Sequence, residues 1–252
     1  MKNQSYNYDE QGQNYSGYRR TDPRIEEYVY NALGSAKSVL NVGAGTGSYE
    51  PKDRYVVAVE PSSVMRSQRQ HAERVPAVIA TAESLPFDDD SFDASMAMVT
   101  VHHWSDLRKG LQELRRVTKD QVLILTFDPE AIGGYWNTDY FPELIEVERA
   151  RFPTIDYIRK SLGGKSEVQE IPLPFDCVDG FQEAFYGRPE SFLKKEVRLS
   201  QSVWGVLPEG MGEKLIQRLA DDLKSGAWDE KHGHYRQKPT FIGSLRLIIA
   251  RP

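Results

Sequence analysis

Apolar and polar positions follow two periods along this chain. Short apolar runs fall near residues 38–42, 55–60, 77–80, 92–99, 122–126, 167–172 and 244–250, and read as strands. Between them apolar residues recur at helical spacing. Thr21-Asp22-Pro23 opens one such stretch with a capping side chain and a proline at the first helical position. Ile25, Tyr28, Val29, Ala32 and Leu33 follow, and Gly34 ends it. Further helices are expected from Ser62 to His71, from Ser105 or Asp106 through Leu107, Leu111, Leu114 and Val117, and from about 209 to 224, ending at Gly226. Strands alternating with helices predict an α/β fold, a doubly wound, mostly parallel seven-stranded sheet covered on both faces. From 127 to 165 the alternation breaks, and two helical patterns around Leu144–Phe152 and Ile155–Leu162 predict a helical lid inserted after strand five. The expected organisation is a mobile N-terminal segment over 1–20, an α/β core over 21–126, the lid over 127–165, and a C-terminal part of the core over 166–252.

The stretch Val39-Leu40-Asn41-Val42-Gly43-Ala44-Gly45-Thr46-Gly47 concentrates the candidate chemistry. An apolar run ends in three alternate glycines, which tolerate positive φ and let a ligand reach the backbone. A strand, such a turn and then a helix would offer N–H groups and a positive helix end to that ligand. Pro51 lies between Gly47 and the next strand, so the helix has room for only one or two turns. Glu60 ends the second strand, where a carboxylate can accept hydrogen bonds from ribose hydroxyls. A dinucleotide fingerprint would need glycine at Ser48; here the third glycine is Gly47, one position early.

Composition narrows the classes. The 252 residues carry a net charge of −5, which gives no basic field for nucleic acid. One cysteine, Cys177, excludes an internal disulfide framework and a cysteine-rich metal site, so a small buried apolar role is expected of it. No apolar signal core and no membrane-length run is present, so a cytoplasmic location without membrane insertion is the default expectation.

Gly43-Ala44-Gly45-Thr46-Gly47, Val59-Glu60-Pro61-Ser62, Ala82-Glu83-Ser84-Leu85-Pro86-Phe87, Phe92-Asp93 and His102-His103-Trp104 together resemble the class I S-adenosylmethionine (SAM) methyltransferases of the ubiquinone/menaquinone-biosynthesis type. The core of the resemblance covers about 15–130, and 241–250 resembles the final strand of the same Rossmann-like fold. The resemblance implies SAM as cofactor and S-adenosylhomocysteine as product. It implies that Gly43, Ala44 and Gly45 pass the methionine part, that Glu60 and Pro61 meet the ribose, and that Met65 packs on the adenine. Thr81, Ala82 and Glu83 would meet the adenine edge, and Met98, Val99 and Thr100 would flank the methionine carboxylate. Tyr15 and Arg19 resemble a segment that closes over the cofactor, with Arg19 pairing the carboxylate or standing solvated beside Arg20. Two departures stand out: Asn41 and Thr81 occupy positions where the family usually or often has an acid.

Methyl transfer needs alignment and exclusion of water, and a base only where the acceptor must lose a proton. His103 and His102, just past strand four, are the candidate bases, with structural packing as the alternative. Trp104, Tyr135, Trp136, Tyr140, Phe185, Tyr186 and Trp204 are the candidate walls of a pocket for a small, partly apolar or aromatic acceptor. His232 and His234 fit no strong zinc spacing and read as a solvated polar loop. The leading expectation is therefore a methyltransferase for a small metabolite. The alternatives are a protein of the same fold that binds SAM or its product without transfer, and a nicotinamide oxidoreductase.

Overall fold

The computed structural model describes residues 19–71 and 73–252. Tyr15 and the other tyrosines of the expected N-terminal segment lie outside the described residues. Strands β1 (Ser38–Val42), β2 (Tyr55–Val59), β3 (Ala77–Val78), β4 (Phe92–Met98), β5 (Thr118–Phe127), β6 (Lys165–Pro174) and β7 (Thr240–Arg251) form one sheet in the order β3-β2-β1-β4-β5-β7-β6. The first five strands run parallel, and β7 enters antiparallel between β5 and β6. The strand order reverses beside β1, so the tips of β1 and β4 border the crevice in which ligands of such sheets bind.

Period-two alternation sorts the core onto the two faces of this sheet. Helix α1 (Pro23–Leu33), capped by the Asp22 side chain, buries Ile25, Val29 and Leu33 against Val39, Leu123, Leu125 and Leu247. The neighbouring strand residues Leu40, Ile124 and Ile248 point the other way, to Leu111 and Leu114 of a helix over Leu107–Arg116 that Asp106 caps. β2 is followed by Glu60, Pro61 and Ser62, and helix Ser63–His71 begins next.

Three helices follow β5: Asn137–Tyr140, Pro142–Arg151 and Ile155–Leu162. The last lays Ile158 and Leu162 on the same sheet face as Leu111 and Leu114, in the layer that flanks the sheet. The Pro142–Arg151 helix instead directs Glu148 toward the ends of the parallel strands, where Phe152 follows it. Helices Met211–Ser225 and Ala227–His232 cover the aromatic side of the core, with Leu219 and Trp228 buried. The expected solvated loop at His232 and His234 is therefore a helix end and a 3₁₀ turn, with His232 buried and its Nε2 3.1 Å from Asp139 Oδ2. No group of residues suited to hold a metal ion is found among the described residues. Nor does any helix among them have the length and apolarity to cross a membrane.

The connection between β1 and β2 departs from expectation. Residues 43–54 form turns and bends, with no helix. Gly43, Gly45 and Gly47 take positive φ, and Tyr49 also lies at φ 63°, which no α-helical turn tolerates. A buried ion pair does the anchoring that a helix would do. Arg69 reaches from the helix after β2 and binds Glu50 with Nη1–Oε1 at 2.9 Å and Nη2–Oε2 at 3.1 Å. It also donates to the Val75 carbonyl, and Asn41 Nδ2 donates to Glu50 Oε1 at 2.9 Å. Asn41 thus lies against the buried Glu50 carboxylate, and no helix is formed between the glycine loop and β2.

Removing one partner of such a pair strands a buried charge. Arg69→Met is expected to lower unfolding free energy by about 3–5 kcal/mol, and the double variant Arg69→Met/Glu50→Gln to recover much of that loss, in urea denaturation. A double-variant loss equal to the sum of the losses in Arg69→Met and Glu50→Gln would show that the pair carries no coupling.

Candidate functional site

The tips of β1, β2 and β4 enclose a cavity of about 620 Å³, within the range of small-molecule sites. Gly43 forms its floor and abuts Thr100: a Cβ at Gly43 would lie 2.2 Å from Thr100 Oγ1, so the β1 and β4 tips meet only because position 43 has no side chain. At Gly45 a Cβ would meet nothing within 4 Å, so this stretch of backbone is open to the cavity. Val99 holds φ 52° at the end of β4, a strained conformation for a β-branched residue, and its N–H donates to the Leu125 carbonyl at 2.7 Å. That backbone kink places Val99 on the cavity wall.

Glu60 stands at the tip of β2, buried, with both carboxylate oxygens occupied by backbone. Gly45 N–H donates to Oε2 and Ser62 N–H to Oε1, each at 2.8 Å. Burial raises its pKa, and these two N–H groups oppose the rise. Pro61 and Met65 continue the same wall, Met65 being 3% exposed. Thr81, Ala82 and Glu83 form the opposite wall with Trp104. Burial works against ionisation of Glu83, but Asp106 N–H and Ser105 Oγ, donating at 3.1 and 2.9 Å, hold its pKa below the ordinary value. Trp104 lies against Gly110, where a Cβ would come within 2.5 Å of the indole ring.

Arg19 closes the remaining side. Its Nε donates to Asp179 Oδ1 at 2.6 Å, and Tyr49 Oη donates to Asp179 Oδ2 at 2.7 Å. Asp179 and Tyr49 carry no motif in the sequence; only the fold brings them, 130 residues apart, to one wall. All the described cofactor candidates (Gly43, Ala44, Gly45, Glu60, Pro61, Met65, Thr81, Ala82, Glu83, Val99 and Arg19) line this cavity.

Past Val99 and Arg19, which border both spaces, lies an inner chamber of about 50 Å³. His103 faces the larger cavity and His102 the chamber, their rings 3.9 Å apart in a tilted stack. Phe152 stacks on the far side of His102 at 4.2 Å. Burial, with the positive charges of Arg151 and Arg19 nearby, pushes His103 down to about 3. Burial and the neighbouring His103 push His102 well below its ordinary value. Both rings are neutral at physiological pH and poor proton acceptors.

The aromatic candidates separate. Trp104 lines the larger cavity. Tyr135, Trp136, Tyr140, Phe185, Tyr186 and Trp204 line neither space. They pack on one another and on Phe141, Phe192 and Trp228 as the core beneath β6 and β7, with Trp136 Nε1 donating to the Tyr186 carbonyl at 2.6 Å. Their density in the sequence reflects a core to be filled. The chamber's aromatic wall is Phe127, Phe152 and Phe181. Its polar wall holds two carboxyls, Glu148 and Glu183, that no motif singled out.

Comparisons with known proteins agree with this geometry. Residues 40–126 match the family model described as a methyltransferase domain. A ubiquinone/menaquinone biosynthesis C-methyltransferase UbiE from Citrifermentans bemidjiense is 32% identical over 216 residues, 77% of this chain and 86% of that protein. The uncharacterized methyltransferase YcgJ of Bacillus subtilis is 36% identical over 100 residues, 36% of this chain and 40% of that protein; for several such relatives the chain spans about half of their length. A crystal structure of a putative methyltransferase from an antibiotic biosynthesis pathway of Anabaena variabilis superposes with a TM-score of 0.84 at 32% identity, covering 92% of this chain and 98% of that one. With the sheet order, the glycine turn and the carboxylate at the tip of β2 in place, the chain belongs to the class I SAM-dependent methyltransferases.

Proposed function

We propose that this chain transfers a methyl group from SAM to a small molecule, holding SAM in the larger cavity and the acceptor in the inner chamber. Glu60 carries the reading. A buried carboxylate at the tip of β2, already accepting from the glycine turn, is placed to take ribose hydroxyls in the same wall. Met65 and Trp104 offer apolar faces for a flat base, and Ala82 with Glu83 offers it polar edges. The open backbone at Gly45 and the wall at Gly43 and Ala44 suit the methionine part, near the Arg19–Asp179 pair. Bound SAM supplies an electrophilic methyl on a sulfonium; the protein aligns the acceptor and keeps water out.

The chamber favours transfer over binding without transfer. The aromatic residues fill the core yet leave a second space beside Val99 that adjoins the larger cavity. The glycine spacing argues against a nicotinamide cofactor. His102 and His103 act in this reading as neutral walls that hold the acceptor's approach, and neither serves as the base. The acceptor is small and partly apolar, in keeping with Phe127, Phe152 and Phe181 around it.

Calorimetric titration with SAM, S-adenosylhomocysteine and NADH is expected to show micromolar binding of the two sulfur nucleosides and none of NADH. Glu60→Ala is expected to weaken both by tenfold or more; unchanged affinity would remove Glu60 from the cofactor site.

The histidines give a second test, on stability. A histidine whose pKa falls on folding is protonated in the unfolded chain before the native one. Stability is therefore full above the unfolded value near 6.5 and is lost as pH falls toward about 3. For His103 alone the loss at about pH 5 is on the order of 2 kcal/mol. Denaturation of His103→Gln across pH 5 to 7 is expected to show a shallower slope than the parent. An identical slope would mean that His103 protonates freely in the folded protein.

A further inference from the structure

We infer that Glu183 is the proton-accepting catalytic residue of this enzyme, and that the inner chamber takes a small acceptor carrying a neutral N–H or O–H nucleophile beside a carbonyl oxygen. The inference rests on the reading that the larger cavity holds SAM.

The placement of Glu183 is built from two distant segments. Its carboxylate lies on β7, where Ser244 N–H donates to Oε2 and Ser244 Oγ to Oε1, each at 2.8 Å. The approach is possible because position 243 is glycine: a Cβ there would lie 2.3 Å from Glu183 Oε2. Each carboxylate oxygen has acceptor capacity left after one bond, and Glu183 lines the chamber with Glu148. Glu148 is bound by Arg151 at 3.0 Å, whereas Glu183 has no ion pair within salt-bridge distance among the described residues. A donor in the acceptor molecule completes this wall.

The opposite need is on the same chamber. Gln201 is buried, and its Oε1 accepts from Trp204 Nε1 at 3.3 Å, which turns the amide and leaves Nε2 buried without a partner among the described residues. Gln182 Nε2 is likewise buried and unpartnered among the described residues, on the same wall. Two unmet amide groups on the wall of one space call for an acceptor oxygen there, since a buried unpaired amide is costly. A space of about 50 Å³ holds a few water-sized groups, so what enters is a compact head group.

When the acceptor nitrogen or oxygen bonds to the methyl carbon, the carbon–sulfur bond breaks and its electron pair stays on sulfur. The nucleophile then carries one proton too many, and the Glu183 carboxylate takes it. The products are the methylated acceptor, the neutral thioether and a protonated Glu183. Burial pushes Glu183 up to about 7, against the Ser244 hydrogen bonds and the charge of Arg246, so it exchanges a proton near neutrality. Glu148, Arg246 and Tyr135 are the other ionisable groups that act on it, with Arg19 and His102 on the chamber wall.

The test uses the full chain saturated with S-adenosylhomocysteine and three probes: glycinamide, glycolamide and toluene. Glycinamide or glycolamide is expected to bind by calorimetry, toluene not, and E183Q to weaken that binding tenfold or more. The arm that binds distinguishes a nitrogen from an oxygen nucleophile. With the bound amide and labelled SAM, transfer is expected to rise with pH through about 7 and to fall a hundredfold or more in E183Q. S244A, which removes one hydrogen bond to the ionised carboxylate, is expected to move that midpoint upward. Binding of toluene alone, binding of none, or an E183Q rate and pH profile like the parent's would overturn the inference. Failure of the parent to bind S-adenosylhomocysteine would overturn the cofactor reading first.

Discussion

The buried Glu50–Arg69 pair is the constraint on which the cofactor side depends. A turn containing three glycines at positive φ has little conformational preference of its own, and no helix follows to hold it. The pair fixes the far end of the turn to the helix after β2, while Glu60 fixes its middle through Gly45. Two carboxylates, one paired with a guanidinium and one with backbone N–H groups, thus give a flexible stretch a single shape. The close contact of Gly43 with Thr100 then sets the distance between the β1 and β4 tips.

Much of this was legible from the pattern of residues. Alternating apolar runs marked every strand, because a sheet covered on both faces demands apolar side chains in both directions. The Asp22-Pro23 cap and the Gly34 stop marked α1 for local reasons that tertiary context did not alter. That the candidate cofactor residues would line one cavity was legible too, since they sit at strand tips in short contiguous motifs. The helix after Gly47 was misread because room for a helix was counted without the backbone at Tyr49, whose left-handed conformation no local rule demands.

The second space was not legible, and the aromatic residues show why. Tyr135, Trp136, Tyr140, Phe185, Tyr186 and Trp204 have the composition of a pocket wall and the positions of a core. Composition does not distinguish the two; only burial against Phe141, Phe192 and Trp228 does. The chamber is built instead from residues with no local signature, such as Glu183 against Ser244 and Gln201 against Trp204. The histidines stand where the sequence put them, just past β4, but their burial and the nearby Arg151 and Arg19 lower their proton affinity, which no local pattern signalled.

The two spaces draw on different halves of the chain. Apart from Arg19 and Asp179, the cofactor cavity is made from residues 43–105. Apart from Arg19, Val99 and His102, the chamber is made from residues 127–244. The stretch matched by the methyltransferase domain model, 40–126, therefore holds most of the wall of the larger cavity and little of the chamber's. If the two spaces hold cofactor and acceptor as proposed, substitutions in the second half change what is methylated while the source of the methyl group stays untouched. A lineage can keep one inherited cofactor half and diversify the other, and sequence likeness in such a lineage reports the shared half long after the acceptors have diverged.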